Sequence, residues 1–177
     1  MWPSVLILCF LLGTRPLKGA DASIHCRPDA PESTRWAAQE LQRLILRATG
    51  CEFAVSFAAV SPPAIRLVPD ESLPHDGFLI RLEDGAFVIA GNDAAPNGTW
   101  GAPSHGTLWG VCEFAERVLG VRWLFPGPLG EDIPENRSLR FALDQPIRGQ
   151  PGFAVRAVAY LGESERESQT RSHTNSQ

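Results

Sequence analysis

The strongest constraint on the fold is a one-sided apolar stripe at helical period between residues 32 and 48. Its members are Trp36, Ala37, Leu41, Leu44, Ile45 and Ala48. Glu32 suits the positive end of the helix dipole, and Gly50 ends the helix because glycine adopts the left-handed cap conformation without steric cost. A helix with one apolar face must be covered by another layer, so the sequence predicts a layered fold.

Short β-rich segments follow this helix and supply the other layer. Residues 53–57 and 64–68 are β-rich and have two prolines between them. Residues 77–82 and 86–90 are apolar runs that flank an Asp-Gly pair, which is one of the strongest hairpin signals in a single sequence. We therefore predict two strands and then a hairpin.

The remaining pattern predicts a second helix and further strands. After a loop at 92–105, apolar residues at helical spacing predict a helix over 106–119. Gly106 and Gly110 are interpreted as positions where this helix closely approaches a strand. The other predicted segments are a strand at 121–125, a loop through 131–134, a strand at 138–141 and an apolar stretch at 153–161.

This order of elements indicates an α+β (α/β-layered) fold, a small mixed β-sheet with two helices packed on it. Residues 23–150 are assigned to this one domain. Residues 163–177 have almost no apolar side chains. Such a segment cannot bury enough surface to offset its ordering entropy, so a disordered tail is expected there.

The first 22 residues are predicted to be a signal peptide. The apolar run at 5–12 is too short to span a bilayer as a helix, and Ala20, Asp21 and Ala22 give the small-x-small pattern of a cleavage site. Cleavage after Ala22 predicts a secreted or periplasmic protein with no membrane partner. An uncleaved buried segment and a false start codon are the alternatives.

The net charge limits the kinds of binding partner, and the cysteines depend on whether the chain is exported to an oxidising compartment. The chain has 16 Lys and Arg against 20 Asp and Glu, and its basic residues are scattered along the sequence. Nucleic-acid binding needs a positive surface, so no nucleic-acid partner is expected. Export would allow one disulfide, with Cys26 and Cys51 the nearest pair. The alternative is that Cys26, Cys51 and Cys112 are buried as small apolar side chains.

Motifs that carry chemistry are sparse. The four histidines lack metal-site spacing, and neither a nucleophile elbow nor a phosphate loop is present, so no catalytic residue, metal or cofactor is expected. Glycoside hydrolysis needs two carboxylates about 5–10 Å apart. Glu113 and Glu116 share a helix face, which is typical of a solvated surface. Trp100 and Trp109 could stack on a sugar ring, although tryptophans in apolar periodic segments more often lie in a core.

Four pieces of sequence, in order, resemble the amino-terminal domain of the alpha-glucuronidase glycoside hydrolases of family 67. They are the helix from Trp36 through Gly50, the hairpin segments 76–80 and 88–93, the stretch from Gly106 through Leu124, and the loop from Pro126 through Pro134. A similar accessory domain precedes the catalytic barrel of the beta-hexosaminidases. The resemblance implies a sheet covered by two helices.

The resemblance also implies where a catalytic barrel would begin. In those families a P-x-F-x-x-R segment opens the first barrel strand, and residues 151–156 match it. Arg156 then corresponds to an arginine that contacts the sugar, so Arg156 and Trp100 are the substrate-binding candidates. Residues 151–162 are interpreted as the start of a barrel that needs about 250 residues, and the family's catalytic carboxylates have no positions in this chain.

The sequence therefore predicts a non-catalytic amino-terminal accessory domain of a secreted glycoside hydrolase. The expected partner is carbohydrate, which would be bound through the absent catalytic domain. Xylan or glucuronoxylan is the expected polysaccharide. Two alternatives are kept: an autonomous carbohydrate-binding module that uses Trp100, and a non-functional truncated remnant.

Overall fold

The computed structural model describes residues 22–58, 64–95, 103–125, 127–136 and 142–152. The helices are α1 (Glu32–Thr49) and α2 (Gly106–Phe114), and α2 continues as a π-helical turn at Ala115–Leu119. The strands are β1 (Ser23–His25), β2 (Ala54–Ser56), β3 (Ala64–Pro69), β4 (Phe78–Glu83), β5 (Ala86–Gly91), β6 (Arg122–Trp123), β7 (Glu131–Asp132) and β8 (Ile147–Gly149). A 3-10 turn at Pro128–Gly130 joins β6 to β7.

Six of the strands form one mixed sheet in the order β2-β1-β3-β5-β4-β8. Strand β1 is parallel to both β2 and β3, and β3 is parallel to β5. Strand β4 is antiparallel to β5 and β8. Strands β6 and β7 form a separate antiparallel ribbon. The predicted mixed sheet with two helices is confirmed.

Both helices pack on the same face of the sheet and against each other. The core between them is formed by alternate residues of the strands and by the apolar stripes of the helices. Its fully buried members include Ile24, Ile65, Leu67, Ile80, Ile89, Leu41, Leu44, Leu108 and Val111. Burial of each such aliphatic side chain contributes about 1.5–3 kcal/mol, so this shared face is the main source of stability.

The end of α1 and the turn of the β4–β5 hairpin have the backbone conformations that the sequence predicts. Gly50 has φ 72° after α1, and its N–H donates to the carbonyl of Leu46 at 2.8 Å. Asp84 and Gly85 have φ values of 50° and 76°, as the tight turn of the β4–β5 hairpin requires. The predicted first helix and hairpin are confirmed.

Other segments differ from the prediction. The sequence predicts neither β1 nor β8, because these three-residue strands do not lie within a longer β-rich run such as residues 53–57, which contain β2. The strand predicted at 121–125 is only two residues long, and the loop predicted through 131–134 begins with its partner β7. Short pairing of this kind depends on contacts distant in sequence.

Several predictions fall on residues outside the described ranges. These are the signal peptide up to residue 21, the strand at 138–141, the apolar stretch at 153–161 and the tail at 163–177. They remain predictions. Among the helices that the structure describes, none is long and apolar enough to cross a bilayer.

The cysteines and tryptophans of the described ranges contribute mainly to packing. Cys26 and Cys112 lie fully buried in the core, whereas Cys51 is half-buried at its margin. This favours the interpretation of Cys26 and Cys112 as small apolar side chains. Trp109 and Trp123 are each 8% exposed and belong to the same core.

Candidate functional site

The substrate-binding candidates Arg156 and Trp100 both lie outside the described residues. Trp109, the other tryptophan considered for sugar stacking, is buried and cannot present a ring face to a ligand. The polar groups that the described ranges do bring together lie around the start of α2.

Five buried polar side chains form this cluster, which we name the α2 junction. They are Thr34, Asp76, Asn92, Asp93 and Ser104, none more than 8% exposed. Thr34 belongs to α1, Asp76 precedes β4, Asn92 and Asp93 follow β5, and Ser104 precedes α2. The cluster therefore joins both helices to the central hairpin.

Asp93 links the two helices at the end of β5. Its Oδ1 accepts a hydrogen bond from the backbone N–H of Thr107 at 3.0 Å, and its Oδ2 accepts one from the hydroxyl of Thr34. The first amides of a helix lack intrahelical partners, and a negative charge is favourable at that end of the dipole. Asp93 thus caps α2 and holds α1 beside it.

Asp76 and Ser104 continue the junction toward β4. Asp76 Oδ1 accepts from the N–H of His105 at 2.7 Å, and the N–H of Asp76 donates to Ser104 Oγ at 2.7 Å. The Ser104 hydroxyl donates to the Asn92 carbonyl at 2.5 Å, and Asn92 Nδ2 donates to the Leu73 carbonyl at 2.6 Å. Loops that are distant in sequence are therefore locked together by buried hydrogen bonds.

Three glycines allow α2 to lie directly on the hairpin. A Cβ at Gly91 would overlap the backbone of Thr107, and one at Gly106 would overlap the backbone of Asn92. A Cβ at Gly110 would lie 2.6 Å from Ile89 Cγ2. The predicted close packing at Gly106 and Gly110 is confirmed, and Gly91 adds a third such position.

The α2 junction is suited to holding a helix and is unsuited to hydrolysis. Asp76 and Asp93 are 7% and 8% exposed, and each accepts a hydrogen bond from a backbone amide. A carboxylate placed in this way cannot reach a glycosidic oxygen. The motifs Asp76-Gly77 and Gly91-Asn92-Asp93, together with the start of α2, are therefore structural in this chain.

The acidic residues of the second helix are also engaged in structure. Glu113 Oε1 accepts a hydrogen bond from Arg117 Nε at 2.6 Å, one helical turn later. An ion pair of this kind on a helix surface contributes little to stability. Glu113 is thus paired with a cation on the helix surface.

Glu131 anchors the β6–β7 ribbon to α1. Its two carboxylate oxygens accept hydrogen bonds from Arg43 at 2.8 and 2.9 Å, and Arg47 Nη1 adds one at 3.0 Å. Glu40 holds the other side of Arg43 at 2.8 and 2.9 Å. The hydrogen bonds of Glu40 and then Glu131 raise the pKa of the Arg43 guanidinium although burial opposes them, so this charge is permanent.

The anchored ribbon carries an exposed apolar cluster, which we name the ribbon tip. It consists of Leu124, Phe125 and Leu129, which are 69%, 53% and 91% exposed. The N–H of Leu124 donates to the carbonyl of Gly130 at 2.8 Å, which fixes the tip's shape. Single exposed apolar residues are normal, but three large ones within six residues mark a candidate contact surface.

Sequence reasoning missed the ribbon tip. The sequence predicts that Leu124 lies in a strand, where an apolar side chain is expected to be buried, and the ribbon that exposes it depends on pairing with β7. The available signal was the position of these apolar residues among turn-forming prolines and glycines, because side chains in turns lie at the surface.

A cavity of about 480 Å³ opens between the end of α2 and the segment that leads into β8. Its lining includes Arg117, Val118, Leu143 and Asp144. Asp144 is the one carboxylate in the described lining of the cavity, so this lining does not offer the pair of carboxylates that glycoside hydrolysis needs. Within the described ranges, no three His, Cys, Asp or Glu side chains are placed to hold a metal ion.

No known family profile and no curated protein sequence matches the chain. Among solved structures, the fold is similar to that of a family GH115 4-O-methyl-alpha-glucuronidase with specificity for decorated arabinogalactans, at 19% identity and a TM-score of 0.51. It is also similar to a GH20 beta-N-acetylhexosaminidase from Streptomyces coelicolor A3(2), at 16% identity and a TM-score of 0.50.

These similarities cover 73% and 75% of this chain but only 17% and 23% of the two enzymes, so the chain spans about a fifth of their length. At such low identity they establish a shared fold. The resemblance to glycoside hydrolases is thus supported at the level of the fold.

Proposed function

We propose that this chain is a non-catalytic accessory domain of a secreted glycoside hydrolase that degrades polysaccharide. The fold shared with a GH115 and a GH20 enzyme is the observation that carries the proposal. The buried carboxylates of the α2 junction support the non-catalytic part, because they serve as helix caps. Glucuronoxylan is the substrate class we assign to the whole enzyme.

The ribbon tip supplies a means of contact with the catalytic domain. Leu124, Phe125 and Leu129 are exposed on a ribbon that is hydrogen-bonded to α1 through Glu131. Apolar side chains presented on a fixed support are suited to a permanent interface, where their burial stabilises both partners. Arg156 and Trp100 remain proposed sugar contacts of the whole enzyme.

Two measurements test this proposal. The isolated chain is expected to release no nitrophenolate from 4-nitrophenyl α-glucuronide or 4-nitrophenyl N-acetyl-β-glucosaminide, and release that disappears on denaturation would overturn the non-catalytic role. The genomic DNA beyond codon 177 is expected to encode a barrel in one of the three phases. A sequence with no such frame would favour a non-functional remnant.

A further inference from the structure

The face of the sheet opposite the helices is partly exposed on its outer strands and buried at its centre. Along β3 and β4, Arg66, Val68, Leu79 and Arg81 on this face are only partly buried. On the central strand β5, Val88 and Ala90 of the same face are 1% and 2% exposed. Since α1 and α2 both pack on the core side, no helix within the described ranges covers this second face, which we name the open face.

Arginines that are scattered in the sequence meet on the open face. The strand register places His25, Arg66, Val88 and Arg81 in one row across β1, β3, β5 and β4. Arg66 and Arg81 are therefore two strand spacings apart, roughly 10 Å. Arg148 lies opposite Leu79 in the next row. Sequence spacing could not reveal this grouping, because it arises only from strand pairing.

The open face is locally positive on a chain with net charge −4. Its acidic member among the paired strands is Glu83, which accepts a hydrogen bond from Arg81 at 2.9 Å and lies 3.9 Å from Arg66 Nη2. One carboxylate cannot neutralise three guanidinium groups. Arg148 takes part in none of the ion pairs found among the described residues, so the face retains positive charge.

Arg66 and Arg81 retain donors for a ligand. Their side chains are 34% and 36% exposed, and among the described residues their ion-pair contacts are with Glu83, through Nε and Nη2 of Arg81 and, at 3.9 Å, Nη2 of Arg66. Val88 between them is only 1% exposed, so the arginine side chains form the accessible part of this row. A guanidinium fork held on a rigid strand is suited to a planar carboxylate.

We propose that the open face binds an acidic polysaccharide through the side chains of Arg66, Arg81 and Arg148. This inference rests on the proposed glycoside hydrolase function, because a polysaccharide is then the ligand that the domain would encounter. Carboxylates repeated along such a chain match cations repeated across neighbouring strands. A nucleic acid fits less well, because the overall negative charge repels a phosphate backbone and the described residues of this face include no aromatic ring for base stacking.

The test uses the full 177-residue chain and polygalacturonic acid as the probe, with its fully methyl-esterified form as the uncharged match. Isothermal titration at low salt is expected to show an affinity for the acid that is about tenfold or more higher than the affinity for the ester. The affinity for the acid should fall as the salt concentration is raised. Equal affinity for the acid and the ester, or no binding to the acid, would overturn the proposal.

Variants locate the site. The double variant Arg66→Gln/Arg81→Gln is expected to weaken binding about tenfold or more, and Arg148→Gln several-fold, because each removes a charged donor. Arg148→Gln changes an exposed side chain of an edge strand, so it keeps the test valid if the double variant folds poorly. Arg117→Gln and Arg122→Gln are the matched controls, since these arginines lie on other elements.

Three outcomes would count against binding at the open face. The first is an equal loss of affinity in the control variants, and the second is unchanged affinity both in Arg148→Gln and in a correctly folded double variant. The third is tighter binding of a single-stranded DNA oligonucleotide than of polygalacturonic acid. The accessory-domain proposal is tested by hydrolysis and by genomic sequence, so the two failures are distinguishable.

Discussion

The glycines under α2 control how closely this helix lies on the hairpin. Gly91→Ala is expected to lower the free energy of unfolding by about 3 kcal/mol, at the upper end of overpacking costs, because the new methyl group would overlap backbone atoms of Thr107 that no rotamer change can move. Urea unfolding followed by tryptophan fluorescence measures this change.

Gly152→Ala is the matched control for that variant. A Cβ at Gly152 would meet nothing within 4 Å in the described structure, so its effect is expected to stay within about 0.5 kcal/mol. Equal stability of the two variants would show that α2 can move away from the sheet without cost.

Cys26 gives the folded chain a dependence on alkaline pH. Burial raises the pKa of the Cys26 thiol above its ordinary value of 9.0, although the positive charge of Arg35 offsets part of this. The stabilisation from a thiol that stays neutral is fully present below pH 9 and is lost as pH rises through the folded-state pKa. The free energy of unfolding is therefore expected to fall above pH 9.

Denaturant titrations between pH 7 and 10.5 check this expectation. The free energy of unfolding of Cys26→Ala should fall less steeply with pH than that of the wild type. Cys51→Ala, which alters a half-buried side chain, should keep the wild-type slope. A wild-type slope in Cys26→Ala would contradict the assignment.

At the residue scale, the sequence predicted the roles that depend on local geometry. Gly50 and the Asp-Gly turn follow from backbone conformation, and Gly106 from its place at the start of a helix. The capping role of Asp93 could not be predicted, because it depends on Thr34 and Thr107 meeting across two loops. A buried carboxylate is identified as a cap only once its donors are located.

At the scale of elements, the β6–β7 ribbon depends on one anchor. Glu131→Gln keeps the size of the side chain but removes its charge, and it is expected to cost about 1–2 kcal/mol, because Arg43 and Arg47 are partly exposed and solvent screens them. The same variant should speed hydrogen exchange at the Leu124 amide, which bonds to Gly130.

Asp132→Asn is the control, since the neighbouring Asp132 is exposed and forms none of the ion pairs found in the described ranges. It should leave stability and the exchange rate unchanged. A similar loss in both variants would mean that the ribbon is held by strand pairing rather than by the ion pairs.

Length and periodicity explain which elements the sequence could predict. The 18-residue α1 and the six-residue strands of the hairpin carry enough repeats of their period to be recognised. Strands β1, β7 and β8 have two or three residues and lie outside any β-rich run, so their existence is decided by the strands beside them.

At the scale of the whole molecule, the ribbon tip should govern self-association. The isolated chain is expected to associate with rising concentration, because Phe125 and Leu129 are largely exposed. Phe125→Ser/Leu129→Ser should reduce that association while leaving the free energy of unfolding within about 0.5 kcal/mol. Sedimentation velocity at several concentrations measures it.

Leu82→Ser is the control, since Leu82 is 51% exposed but lies on β4, away from the tip. It should associate as the wild type does. Equal association of all three proteins would remove the ribbon tip as a contact surface.

The position of β1 determines how the protein can be shortened or extended. β1 pairs on both sides, with Val55 of β2 and Ile65 of β3 opposite Ile24, so the earliest strand that the structure describes lies inside the sheet. Trimming the chain past His25 would break two ladders at once and detach β2 from the remaining strands. A purification tag at the amino terminus therefore needs a spacer before Ser23, so that its attachment disturbs neither ladder of β1.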